Sequence, residues 1–78
     1  MILIIYEGGT ELGRVTEEGV QTDNADLRNA LKAPVWVNGF SKNGIYVTEV
    51  VKVSPGHPKW LVAVRDAAIR SGYRVAVE

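Results

Sequence analysis

The chain has 78 residues, 46% of them apolar and 23% charged, and nine Lys and Arg balance nine Asp and Glu. A chain of this length is expected to form one small domain, residues 1–78, burying only about 60% of the surface it exposes when unfolded, so a second catalytic domain or a deep cofactor-enclosing cleft is not expected and any active site would be shallow. The lack of cysteine excludes disulfides, thiolate nucleophiles, cysteine zinc sites and iron–sulfur clusters.

Ile2 to Tyr6 is a short continuous apolar run bounded by Gly8 and Gly9, the pattern of a strand covered on nearly both faces. Gly8-Gly9 supplies the positive backbone angles of a two-residue hairpin turn, which sets Glu11 to Val15 antiparallel to the first strand with Leu12 opposite Ile5. Glu17-Glu18-Gly19 makes a second turn, followed by a brief strand from Val20 to Thr22. Asp23 as cap and Asp26 as first-turn carboxylate then open a helix over about Asn24 to Lys32, with Leu27, Ala30 and Leu31 at helical spacing. Pro34 stops it, because the ring disfavours the helical conformation at Ala33.

Val35 to Phe40 and Ile45 to Val53 flank Asn43-Gly44, a strong hairpin signal. Pairing Lys42 with Ile45 puts Trp36, Phe40, Ile45, Val47, Val51 and Val53 on one face and Val35, Val37, Tyr46, Thr48, Val50 and Lys52 on the other. The first face is expected to meet the core, with Asn38 opposite Glu49. Pro58 suits the first turn of a second helix, which runs to about Ser71 with Trp60, Leu61, Val64, Ala67 and Ala68 on one side and ends at Gly72. Tyr73 to Val77 alternates as a last strand.

Twelve valines and five isoleucines against five leucines make sheet prominent, since β-branched side chains suit a pleated surface. The order strand, strand, short strand, helix, strand, strand, helix, strand predicts an α+β fold with two helices on one face of a mainly antiparallel sheet. Discounting strands two and three leaves the ferredoxin-like order as an alternative.

Little in the sequence points to catalysis. His57 is the only histidine, which excludes a multi-histidine metal site within one chain. Its place between Gly56 and Pro58 fits a cap at a helix entry better than a general base. Ser41, Ser54 and Ser71 stand at turns and helix ends, where serine bonds to the backbone. Glu17, Glu18, Asp23 and Asp26 lack the alternate-position spacing of a calcium loop. No cofactor is implied, and the chain is expected not to be an enzyme; a site formed between copies around His57 ranks last among the functional readings.

The apolar run at Met1 to Tyr6 is far shorter than the roughly 20 residues of a membrane span, and no basic stretch precedes it, so a soluble, cytoplasmic protein is expected. Charge is uneven along the chain: residues 1–34 sum to −3 and residues 35–78 to +3. Complementary ends of this kind suit head-to-tail contact between copies, which builds rings or filaments. Trp36, Phe40, Trp60, Val62 and Ile69 are the candidate contact residues for such a protein partner or self-association.

Lys42-Asn43-Gly44-Ile45-Tyr46-Val47 resembles the basic-glycine-aromatic strand of RNA-recognition motifs, which implies nucleic-acid contacts through Lys42, Tyr46 and Lys52 on a sheet face. Ile45 and Val47 stand where that family places stacking aromatics, and zero net charge offers little phosphate attraction. The stretch from Tyr6 to Val15, with Gly19-Val20 and Asp23-Asn24 opening a helix, is similar to small uncharacterised proteins of phage and prophage gene clusters; that resemblance implies no activity. The leading expectation is a non-enzymatic structural or protein-interaction module capable of self-assembly, with weak nucleic-acid binding as the alternative.

Overall fold

The computed structural model describes residues 1–78, and its elements follow the expected order: β1 (Leu3–Glu7), β2 (Thr10–Thr16), β3 (Gly19–Thr22), α1 (Ala25–Ala30), β4 (Val35–Lys42), β5 (Ile45–Lys52), α2 (Trp60–Arg70) and β6 (Arg74–Val77). The fold is α+β, and every strand pairing is antiparallel. Four strands form one sheet in the order β3-β2-β1-β6, while β4 and β5 form a separate two-stranded sheet. The ferredoxin-like alternative therefore does not describe this chain, because β4 and β5 never enter the main sheet.

The apolar run at the start becomes the central strand, as its composition requires. Leu3, Ile4 and Ile5 are all buried, with β2 on one side of β1 and β6 on the other. The turn at Gly8 and Gly9 closes as expected, but the register beyond it contains a bulge. Glu11 pairs with Tyr6 and Gly13 with Ile5, so Leu12 is skipped rather than set opposite Ile5. The extra residue packs its side chain against the core, and its carbonyl accepts a hydrogen bond from the Thr22 hydroxyl at 2.6 Å.

Both helices cover one face of the main sheet. Leu3, Ile5 and Val15 from the strands meet Leu27 and Leu31 from the α1 region and Trp60, Ala63, Val64 and Ala68 from α2 in one core. Small alanines on α2 let that helix approach the sheet closely, and Val64 and Ala68 are fully buried. The α1 helix is shorter than its apolar spacing suggests, and its cap is Asn24 rather than Asp23: the Leu27 N–H donates to Asn24 Oδ1 at 2.9 Å. The opposite face of the sheet has no helix over it and carries charged side chains around the buried Ile4. There Arg14 pairs with Glu11 at 3.4 Å and with Glu78 at 3.7 Å. The hydrogen bonds that Arg14 donates to Glu11, then the charges of Glu11 and Glu78, raise the Arg14 pKa above the ordinary arginine value.

The β4–β5 hairpin leaves this body at a narrow base. The buried Pro34 and Val53 close the neck, the Val53 N–H donating to the Pro34 carbonyl at 3.2 Å. Beyond it the register is the one expected from Lys42 opposite Ile45, through Trp36 opposite Val51 to Val35 opposite Lys52. Asn43 and Gly44, with φ of 52° and 76°, make the tip; two consecutive left-handed residues match the right-handed twist of the flanking strands. Eight residues at ~3.3 Å each give an arm of roughly 26 Å. The molecule is accordingly elongated, 48 × 23 × 22 Å, with a radius of gyration of 13.9 Å. A compact chain of this length would have about 11.5 Å.

Candidate interaction surface

The hairpin arm is built like a buried element and placed like a loop. Its two faces carry the residues expected from the register, yet only the base of the first face reaches the core. Trp36 and Val51 pack there, partly buried, and the Lys59 ammonium sits 4.7 Å from the Trp36 ring centroid. That geometry is a cation–π contact, which pins the arm's base to the entry of α2. Farther out, Phe40 lies opposite Val47 on the same face, and Ile45 next to the tip is 66% exposed.

On the second face Val37 lies directly opposite Val50, and both are at least half exposed. Tyr46 is 73% exposed and lies across the backbone of Gly39, where a Cβ would collide with its hydroxyl. Glycine at 39 thus gives the tyrosine ring a flat seat, and the aromatic ring covers backbone that a side chain would otherwise shield. Five of the eight large apolar residues exposed in the chain, Val37, Phe40, Ile45, Tyr46 and Val50, are on this arm. The apolar surface is therefore concentrated in one projecting element.

The contact residues expected from the sequence do not converge. Trp36 and Phe40 belong to one arm face. Trp60 takes a place in the core: it is 5% exposed, and its indole N–H donates to the Thr16 carbonyl at 2.8 Å, which ties the start of α2 to the end of β2. Val62 is half-buried and Ile69 is 55% exposed, both on the side of α2 turned from the core. Val37, Ile45 and Val50 are the exposed apolar residues that the sequence does not put forward as contacts, and Tyr46 is put forward only for nucleic acid. Their signal was present as apolar alternation on both faces of a strand pair.

The expected nucleic-acid contacts are also dispersed. Lys42 lies on the Trp36 face, whereas Tyr46 and Lys52 lie on the other, at opposite ends of β5. With Glu49 between them, the arm carries a net charge of only +1.

His57 is committed to the backbone. Its Nδ1 accepts the Lys59 N–H at 3.0 Å and its carbonyl accepts the Trp60 N–H at 3.0 Å, so it shapes the turn into α2. Glu17 and His57 border one hollow of about 250 Å³, with no hydrogen bond between their side chains. A more polar hollow of about 340 Å³ lies along β2 and β3, lined by Glu11, Arg14, Gln21 and Asp23 among others. No three His, Cys, Asp or Glu side chains gather closely enough to hold a metal ion. No helix is long and apolar enough to cross a membrane.

Set against models of protein families, curated proteins and solved structures, the chain matches none of them.

Proposed function

We propose that this chain is a non-enzymatic protein-interaction module whose β4–β5 arm is the recognition element. One observation carries the reading: the arm holds five of the eight exposed large apolar residues on a two-stranded ribbon that stands clear of the body. An isolated two-stranded ribbon is marginal in water, and apolar residues on both of its faces add little to the stability of the body. Such a patch is costly in solubility and marks a site of protein contact. The Val37–Val50 pair with Tyr46 on one face, and Phe40, Val47 and Ile45 on the other, form two apolar strips suited to insertion into a groove of another protein.

Two further features support the non-enzymatic half of the reading. The hydroxyls that line hollows on the body are engaged by the backbone: Thr22 donates to the Leu12 carbonyl and accepts from the Asn24 N–H, and Thr16 accepts from the Glu18 N–H. The only imidazole spends its Nδ1 on a backbone N–H.

The test compares the native chain with Ile45→Ser/Tyr46→Ser as bait in chemical cross-linking, followed by reconstitution with the captured protein after purification. The reading expects a stoichiometric complex with the native chain and at least a tenfold weaker one with the variant, whose folding is unchanged by circular dichroism. A variant that binds as tightly as the native chain overturns it. So does binding of labelled single- or double-stranded nucleic acid that falls steeply between 50 and 200 mM salt and is lost in Lys42→Glu, which would make the arm a nucleic-acid ribbon instead.

A further inference from the structure

The main sheet has two outer strands, and they differ. At β3, four residues long, the chain begins on a glycine and continues with Val20, Gln21 and Thr22, and α1 packs alongside. At β6 the sequence Arg74-Val75-Ala76-Val77 contains no proline, lysine or bulge of the kind that protects a sheet edge, and no element pairs with its outer side.

The hydrogen-bond pattern shows which groups that edge presents. The Ile2 N–H donates to the Glu78 carbonyl at 3.2 Å and the Glu78 N–H to the Ile2 carbonyl at 2.8 Å. Ile2 and Glu78 are thus a reciprocally bonded pair, and by the alternation of antiparallel ladders the backbone groups of Ala76 and Arg74 also face β1. The N–H and C=O groups of Val75 and Val77 face outward. On the helix side, Val77 is 63% exposed and borders a hollow of about 160 Å³ with Met1, Leu3, Leu61, Val62 and Arg65.

We propose that β6 pairs with β6 of a second copy of this chain about a two-fold axis through Ala76. The segment Arg74-Val75-Ala76-Val77-Glu78 is self-complementary when laid antiparallel on itself in that register. Val75 of each copy falls opposite Val77 of the other, and these are the residues whose backbone groups are free, so four main-chain hydrogen bonds form. Arg74 of each copy falls opposite Glu78 of the other, giving two cross-strand ion pairs on the open face of the sheet. A register shifted by one residue would point bonded groups at free ones, and a shift by two would lose the Arg–Glu pairs.

The helix-side hollow that Val77 shares with Leu61, Val62 and Arg65 lies beside the same edge. The pairing gives an eight-stranded sheet with its helices on one face, an isologous contact that closes at two copies. This contact does not involve the arm, and it leaves two arms free on one particle, which strengthens binding to a repeated or dimeric partner.

Sedimentation velocity on the full chain over a range of concentrations tests the proposal. A dimer of twice the 8.5 kDa chain mass is expected. Val77→Pro removes an outward N–H without touching a bond to β1, and it should give a monomer. Arg74→Glu sets two carboxylates opposite each other and should raise the dissociation constant about tenfold. The double variant Arg74→Glu/Glu78→Arg re-forms both cross-strand pairs while giving up the Arg14–Glu78 pair, and it should bind more tightly to itself than Arg74→Glu alone, a rescue that a merely misfolded variant cannot show. A monomer at every concentration overturns the proposal, as do a series growing beyond the dimer and a dimer unaffected by both single changes. A dimer lost with Ile45→Ser/Tyr46→Ser but kept with Val77→Pro would move the contact to the arm, leaving the arm reading intact while overturning this one.

Discussion

The body and the arm are made from the same residue types and use them in opposite ways. In the body, Leu3, Ile5 and Val15 alternate on strands whose inner face meets two helices, and every one of them is buried. In the arm, Val37, Ile45 and Val50 alternate just as regularly on strands with no layer against them, and each is at least half exposed. Hydrophobic alternation therefore determines which side chains share a face, while burial depends on whether another element comes to cover it. An uncovered apolar ribbon on an otherwise well-covered small domain is the feature that sets this molecule apart.

Substitutions should separate the two regions by the size of their effects. The largest belongs to the body: Leu27→Ala empties a fully buried site between α1 and the sheet and should cost about 3 kcal/mol in denaturant unfolding, a large part of the stability of so small a domain. Gly13→Ala comes next. A Cβ at that position would lie 2.7 Å from the Thr22 Cβ and 2.8 Å from the Gln21 carbonyl, so β2 and β3 must part, at about 2 kcal/mol. The smallest effect belongs to the arm, where Ile45→Ser/Val50→Ser should change global stability by less than about 1 kcal/mol. Were the arm variant as destabilised as Leu27→Ala, the contrast between the regions would collapse.

Much of the body was legible because its signals are local. The apolar run of β1, the glycine pair after it and the helical spacing of Val64, Ala67 and Ala68 each act within a few residues. The arm's register was legible for the same reason, since one turn and a period of two determine it. Features that depend on distant partners were not. The skipped Leu12 answers to Thr22, and the buried place of Trp60 depends on the Thr16 carbonyl 44 residues away. The choice of Asn24 over Asp23 as cap turns on where β3 ends, because the Asn24 N–H is itself held by Thr22 Oγ1 at 3.0 Å. The separation of β4 and β5 from the main sheet has no local signature: a strand pattern records which way side chains point and is silent on which neighbour the strand finds. That is also why Val37 and Val50 read as the second side of a sheet rather than as exposed surface.

Native-state hydrogen exchange, followed residue by residue on the unmodified chain, tests the central claim most directly: the arm stands outside the cooperative core and is held for contact rather than for folding. The account predicts that amides in β1, β2 and α2 exchange only with global unfolding, while those from Asn38 to Val47 exchange through local opening at a much lower free energy despite their cross-strand hydrogen bonds. Arm amides protected to the same level as those of β1 would contradict it, since the arm would then be part of the folded core.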